Sequence, residues 1–396
     1  MAKATAGQKG DKVRSDCYIE ITSKQLGGIK LDIKSKVEVM YGESIKTTIL
    51  EMCEFFELKH AEILVEDYGA LPSTLMARFE LAVKRLNPKI EKEFLPTFNK
   101  KNKYKTSKDK LRRSRLYLPG NEPKFYPNAG LHKPDGIILD LEDSVAPTEK
   151  DAAQLIVRNS LRAIDFYGSE HMVRINQFPQ GLDDLKYIVP HNVHVILIPK
   201  VETAEQIIQV EEKVNELKLS KKINDDIFFM PIIESALGVI NAYSIATASK
   251  YNCALAIGLE DYTADIGTQR TNEGNESFYA RATLVNAAKA AGIQAIDTVF
   301  SDVNDMEGLR DSVIEAKGLG FEGKGCIHPR QIQVVHNAFA PTQIEIEKAQ
   351  KIIAAFEEAK AKGVGVVSIG SKMIDAPVVK RAVNTLKISK LISEQK

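Results

Sequence analysis

The chain has 396 residues, 44% of them apolar and 27% charged, with a formal charge of +1. That is the profile of a folded globular protein with room for more than one domain. The near-neutral balance gives no reason to expect a nucleic-acid partner, and no stretch reaches the roughly 20 apolar residues of a membrane span.

Residues 1–13 read as a disordered polar tail, without the apolar core of a secretory signal. Cys17, Cys53, Cys253 and Cys326 stand too far apart for a zinc site or a disulfide framework, so a reducing cytoplasm is the expected setting. Residues 14–87 predict a small α+β domain. CYIEITSK and GGIKLDIKS are alternating strands separated by a Gly-Gly turn signal, ESIKTTILEMCEFFEL is a helix and AEILVED a strand. LPSTLMARFELAVKRL is a second helix, with Leu75, Phe79, Ala82 and Val83 near one face. Residues 88–113 are rich in lysine and arginine and poor in aliphatics, which reads as a solvated basic linker rather than a nucleic-acid patch.

From about 114 to 340 the rhythm changes. The apolar runs SRLYLPG, GIILDLED, HMVRIN, VHVILIPK, IFFMPIIES, CALAIGLED, IQAIDTV and GKGCIHP alternate with helical segments. Eight β-α units of this kind predict a (β/α)8 TIM barrel. Residues 341–396 then supply a C-terminal helical lid, with one helix near 341–362 and another from about 376.

GIILDLED poses the functional question, because a run built to be buried ends in three carboxylates, Asp140, Glu142 and Asp143. In a barrel the strand ends converge on one mouth, where chemistry sits. The strand ends here bring Glu142, Asp143, Arg174, Lys200, Glu234, Asp261, Asp297 and His328 to that rim. Glu234 and Asp261 end neighbouring strands and could flank one hard cation, Mg²⁺ or Mn²⁺, with water and substrate completing the shell. Glu234 could instead cap the next helix, and Asp261 could pair with Arg270. Arg174 within a strand answers an anion, from a neighbouring carboxylate or a substrate. Lys200 could form a Schiff base or serve as structural partner of Glu142 or Asp143, and the paired acids favour the second role. His328 reads as a loop-fixing residue and Asp297 as a loop cap.

The motifs RSRLYLPGN, LDLEDSVAP, VRIN, LIPKVET, IIESALGV, GLEDYTADIG, RTNEG, GFEGKGCIHPRQI and MIDAPVV, in this order, resemble the citrate lyase β-subunit and the malyl-CoA and citramalyl-CoA lyases of the HpcH/HpaI aldolase superfamily. SDCYIEI, GESIKTTILE and EDYGALPSTLMARFELAVKRL resemble the acyl carrier subunit of citrate lyase. The resemblance implies a Mg²⁺-dependent retro-Claisen cleavage of a β-hydroxyacyl thioester into an oxo-acid and an acyl thioester. Glu234 and Asp261 would hold the metal, Arg174 the oxo-acid half, and Glu142 and Asp143 would organise the surrounding shell. Pro119 and Lys200 would contact substrate. Asp375 would reprotonate the departing fragment from a lid exchanged in a homotrimer or hexamer; the competing role for Asp375 is N-cap of the last helix.

The thioester would be carried on CoA or on phosphoribosyl-dephospho-CoA. The carrier family's attachment serine falls at Arg14, with Ser15 one residue later, directly before Asp16. Either Ser15 bears the prosthetic group, with an acyl transferase like the citrate lyase α-subunit as partner, or the domain is a docking module and the substrate a free CoA thioester. A Schiff-base aldolase using Lys200, a thioester hydrolase and a non-catalytic assembly subunit are the competing functions.

Overall fold

The computed structural model describes residues 2–361, 367–369 and 372–394. Its N-terminal domain is a four-stranded sheet of β1 (Lys3–Gly7), β2 (Cys17–Ser23), β3 (Ile29–Ser35) and β4 (Ala61–Asp67), covered by α1 (Glu38–Phe55) and α2 (Pro72–Leu86). Cys17, Ile19 and Ile21 of β2 and Ala61, Ile63 and Val65 of β4 alternate inward beneath the helices, as the period of two requires. Leu75, Phe79, Ala82 and Val83 of α2 are all buried, as their spacing predicts.

One expectation for this region is corrected. The tail read as disordered contains β1, which pairs antiparallel with β2 from Lys3↔Thr22 to Gly7↔Tyr18. The Gly-Gly turn does not join neighbouring strands, because the sheet order is β1-β2-β4-β3, and β4 lies between β2 and β3 with β3 parallel to it. A turn signal reports where the chain bends, whereas pairing is decided by which faces find cover.

The eight barrel strands are β5 (Ser114–Pro119), β6 (Gly136–Asp140), β7 (Glu170–Arg174), β8 (Val195–Ile198), β9 (Phe228–Ile233), β10 (Ala254–Ile257), β11 (Gln294–Asp297) and β12 (Gly323–Cys326). They form one closed parallel barrel, each falling on the apolar run that predicts it, with β7 starting one residue earlier. Ile138, Met172, Leu197, Met230 and Ile296 fill its interior. The helices that matter below are α3 (Lys150–Ala163), α4 (Ala204–Lys221), α5 (Leu259–Asp265) and α6 (Phe278–Ala290).

Residues 88–113 are not a solvated linker. They strap the end of the barrel opposite the mouth. Arg112 and Glu170, both fully buried, meet through Nε–Oε2 at 2.7 Å and Nη2–Oε1 at 2.8 Å. The Tyr104 hydroxyl lies 2.7 Å from His171 Nε2, and the Tyr104 carbonyl 2.8 Å from His194 Nε2. The two imidazoles stack 4.3 Å apart. Composition suggested solvent because basic residues prefer it; buried acceptors at the strand starts prevail.

The C-terminal segment consists of α7 (Gln343–Ala361) and α8 (Ala376–Glu394), packed on each other through Ala349, Ile352 and Ala382. A short hairpin, β13 (Val367–Ile369) and β14 (Lys372–Ile374), joins them where no strand was expected.

Candidate active site

Five consecutive staves, β6 to β10, and the segments that follow them bring the polar cluster to the C-terminal rim; Asp261 stands in the first turn of α5 rather than at the end of β10. Asp140 and Arg174 are register partners at the ends of β6 and β7. Arg174 donates from Nε and Nη2 to the two carboxylate oxygens of Asp140, both at 2.7 Å. Its Nη1 lies 2.9 Å from Glu142 Oε2 and 3.8 Å from Asp143 Oδ2, and the guanidinium sits over the Tyr117 ring. Burial pushes the Asp140 carboxyl up, but the Arg174 hydrogen bonds outweigh it and hold the group below the ordinary range. Asp140 also accepts the backbone N–H of Glu142 at 3.0 Å and of Ser144 at 3.2 Å. The three carboxylates of the run therefore divide their labour. Asp140 clamps the arginine and folds the turn, Glu142 points into the cluster, and Asp143 is half exposed.

Lys200 follows β8 in a left-handed conformation, φ +49°. Its ammonium lies 3.2 Å from Asp261, 3.6 Å from Glu142 and 3.8 Å from Asp143. Partial burial pulls this amine down, yet the carboxylates outweigh it, Glu142 foremost, and hold it above its ordinary range. Glu234 directly follows β9, only 6% exposed, and accepts the Lys200 backbone N–H at 2.9 Å. Burial, then the nearby Glu142 carboxylate, raises Glu234 to about 8, and Asp261 adds to the same push. Burial likewise raises Glu142. The neighbouring stave leaves room for Glu234 through a glycine: a Cβ on Gly258 would stand 2.3 Å from Glu234 Oε1.

Two buried carboxyls raised by burial and by neighbouring carboxylates, with the more exposed Asp143 and Asp261 and a lysine ammonium beside them, form an oxygen-rich, cation-seeking set. It fits a hard divalent ion, with most of the coordination shell left to water and substrate. Among the described residues no three His, Cys, Asp or Glu side chains enclose an ion by themselves.

Other candidates fall elsewhere. Arg270 bonds Glu260 and the Val299 carbonyl rather than Asp261. Asp297 is not a loop cap; it is buried and neutralised by Lys324 at 2.7 Å and Arg281 at 3.2 Å. His328 accepts the Arg330 backbone N–H at 3.2 Å, the loop-fixing role expected of it. Pro119 ends β5 at the mouth, its carbonyl accepting from Tyr126. Asp375 bonds within its own helix start, its Oδ1 accepting from Val378 N at 3.2 Å and its carbonyl from Val379 N at 3.0 Å. Ser15 is half-buried with φ +53°, its N–H donating to the Tyr68 carbonyl.

Sequence reasoning missed Gln177, which donates to Glu142 Oε1 at 3.1 Å, and Lys150, which ties down the Leu141 carbonyl at 2.7 Å. It also missed the need for glycine at 258. Only the Asn of VRIN, next to Gln177, hinted at polar residues beyond that strand.

A closed parallel barrel with a guanidinium clamp and buried carboxylates at its C-terminal rim defines an enzyme of the aldolase and lyase kind. The chain belongs to the HpcH/HpaI aldolase/citrate lyase family, whose sequence model matches residues 113–329. A second model, malonate decarboxylase delta subunit, matches residues 3–86. The chain is 43% identical over 285 residues to citrate lyase subunit beta of Leuconostoc mesenteroides subsp. cremoris, covering 71% of this chain and 94% of that one. It is 34% identical over 296 residues to the mitochondrial citramalyl-CoA lyase of Homo sapiens, covering 72% and 87%. Among solved structures it resembles the CitE protein of Mycobacterium tuberculosis in complex with magnesium, acetoacetate and coenzyme A, with TM-score 0.60, 28% identity, and 72% of this chain and 100% of that one covered.

Proposed function

We propose that the chain is a Mg²⁺-dependent carbon–carbon lyase that cleaves a citryl-, malyl- or citramalyl-type thioester into an oxo-acid and an acyl thioester. The observation that carries this reading is the convergence of Glu234, Asp261 and Glu142 beside the Arg174 clamp, on a barrel whose relatives are lyases.

Glu234 and Asp261 would hold the ion. Bound there, it supplies positive charge that lowers the pKa of the substrate hydroxyl and steadies the oxygen as it becomes a ketone. Arg174, oriented by Asp140, binds the carboxylate of the oxo-acid half through its remaining donor face. Glu142 and Asp143 balance Arg174 and Lys200 and order the water between them. As the carbon–carbon bond breaks, the hydroxyl proton passes to the water held by Glu142 and Asp143, while the electron pair stays with the thioester fragment, which needs a proton at carbon. Asp375 supplies it from the lid, and closure excludes water. The Val378 N–H bond to Asp375 Oδ1 is the N-cap arrangement, and the placement of Asp375 at the mouth of a neighbouring copy in a trimer or hexamer rests on the resemblance to the lyase family.

The Schiff-base alternative is weakened by the cationic state of Lys200, since a protonated amine is no nucleophile. A reducing cytoplasm agrees with four buried free cysteines, and no helix among the described residues is long and apolar enough to cross a membrane.

The test incubates pure protein with each of the three thioesters and Mg²⁺ and follows the oxo-acid. Release of CoA without oxo-acid, activity indifferent to EDTA, or borohydride trapping at Lys200 would each overturn the reading.

A further inference from the structure

Asp140 and Arg174 end their staves and Glu234 directly follows one, so the parallel ladder of the barrel fixes where they stand. Asp261 has no such support. It lies in the first turn of α5, beyond the end of β10, with its carboxylate 42% exposed and 3.2 Å from Lys200. α5 has only seven residues, well short of the roughly 12–15 at which a helix begins to hold itself. Where Asp261 sits therefore depends on what ties α5 to its surroundings.

Those ties come from both neighbouring staves. At the helix start the Leu259 N–H donates to Thr298 Oγ1 at 3.3 Å, in the segment that follows β11. Arg270, beyond the helix, turns back to the same place. Its Nη1 donates to Glu260 Oε1 at 2.6 Å and its Nη2 to the Val299 carbonyl at 2.7 Å. At the helix end Asp265 Oδ2 accepts the Ala236 N–H at 2.8 Å, two residues beyond Glu234. α5 is thus strung between the segment that follows Glu234 and the segment that follows β11. A polar cavity of about 330 Å³ lies against the helix start, lined in part by Leu259, Glu260, Arg270 and Thr298. On that side hydrogen bonds, rather than packed core, back the helix.

We infer that Arg270 is a positioning residue of the metal site: by bracketing Glu260 to the Val299 carbonyl, it holds the turn that carries Asp261 at the spacing from Glu234 that a divalent ion requires. This rests on the lyase reading above, in which Glu234 and Asp261 would hold Mg²⁺. Glu260 is 62% exposed, so the ion pair adds little to stability and its work is geometric. A guanidinium can serve two acceptors in fixed directions, which an ammonium on a flexible stem does poorly. The sign of the effect separates this role from charge alone. A cation beside a metal site opposes the metal, so by electrostatics its removal would tighten Mg²⁺ binding; loss of a positioning residue weakens it.

The test titrates Mg²⁺ calorimetrically into the metal-free full chain as wild type, Arg270→Ala and Arg270→Lys, and follows amide exchange at 259–265. Arg270→Ala is expected to raise the Mg²⁺ Kd about tenfold or more, with Arg270→Lys between it and wild type. Exchange at 259–265 accelerates while the barrel strands stay protected. On whichever thioester wild type cleaves, saturating Mg²⁺ returns kcat of Arg270→Ala to within about threefold of wild type, a rescue that general loss of structure would not permit. If Arg270→Ala does not fold, Arg270→Lys supplies the same readouts. Mg²⁺ bound by the variant as tightly as by wild type, or more tightly, overturns the inference and spares the lyase reading. A weakened Mg²⁺ site in a chain that cleaves none of the thioesters keeps the positioning role and removes the lyase. Wild type that binds no Mg²⁺ removes the metal assignment and this inference with it.

Discussion

Arg174 and Asp140 meet fork to fork at the ends of adjacent staves, two hydrogen bonds of 2.7 Å joining side chains that are 13% and 2% exposed. Removing one partner of so buried a pair costs about 3–5 kcal/mol. Asp140→Ala is therefore expected to lower unfolding stability by that order. Arg174→Lys keeps the charge but loses the fork, and kcat/KM should fall about 100-fold with far less effect on stability. Denaturant midpoints and steady-state kinetics separate the two effects. A fully active Arg174→Lys would remove the clamp from the reaction.

Glu234 titrates near 8 rather than the ordinary 4.5, chiefly through burial and then Glu142. Its folded pKa is raised, so the stabilisation it gives the metal-free protein is complete below about 4.5 and is lost as pH climbs through 8. In EDTA the melting temperature should fall across that window. Mg²⁺ should bind more tightly with rising pH and displace up to about one proton per site. Calorimetry in buffers of different ionisation enthalpy counts that proton. Glu234→Gln should flatten the stability slope and raise the Mg²⁺ requirement sharply.

Gly258 has φ −111°, a conformation alanine adopts freely. Its clash is with Glu234 Oε1 alone among near polar atoms, since all three nearest atoms belong to that side chain. Gly258→Ala should therefore displace the carboxylate without breaking the backbone. We expect a loss of about 100-fold in kcat/KM, with stability changed by less than about 2 kcal/mol. Unchanged kinetics would show that Glu234 can move without consequence.

The strap should be the acid-sensitive part of the barrel. Burial holds His194 near 4 and drives His171 well below its ordinary 6.5, so both fold neutral. Their folded pKa values are depressed, and the stabilisation is present above 6.5 and lost as pH falls through 4. For His194 this amounts to about 3 kcal/mol. Melting curves from pH 7 to 4.5 should show the decline, and His194→Asn should blunt it. A melting temperature flat over that range would contradict the assignment.

The eight staves were readable because each is a contiguous apolar run with turn-forming flanks, and the rim residues were readable because a barrel sends every strand end to the same face. Arg174, Glu234, Asp261, Lys200 and Glu142 accordingly come together as their positions suggested. The Asp140 clamp was harder to read, since LDLED offers three acids and only cross-strand register selects the one opposite Arg174. The displaced pairing of β3, the buried strap and the Lys324–Asp297–Arg281 cluster were beyond reach for the same reason: each joins residues far apart in the chain, through faces that local pattern leaves ambiguous.

By itself the sequence determined which residue types stand at which strand ends, because side-chain periodicity and turn chemistry act over a few neighbours. Only the tertiary structure decided what each acid does. Asp140 and Glu234 are both buried carboxyls at stave ends, yet one is held anionic by a guanidinium and the other is pushed toward neutrality by burial and then by a neighbouring carboxylate. Proton affinity follows from the charges that packing brings within a few ångströms, and those neighbours lie on other strands.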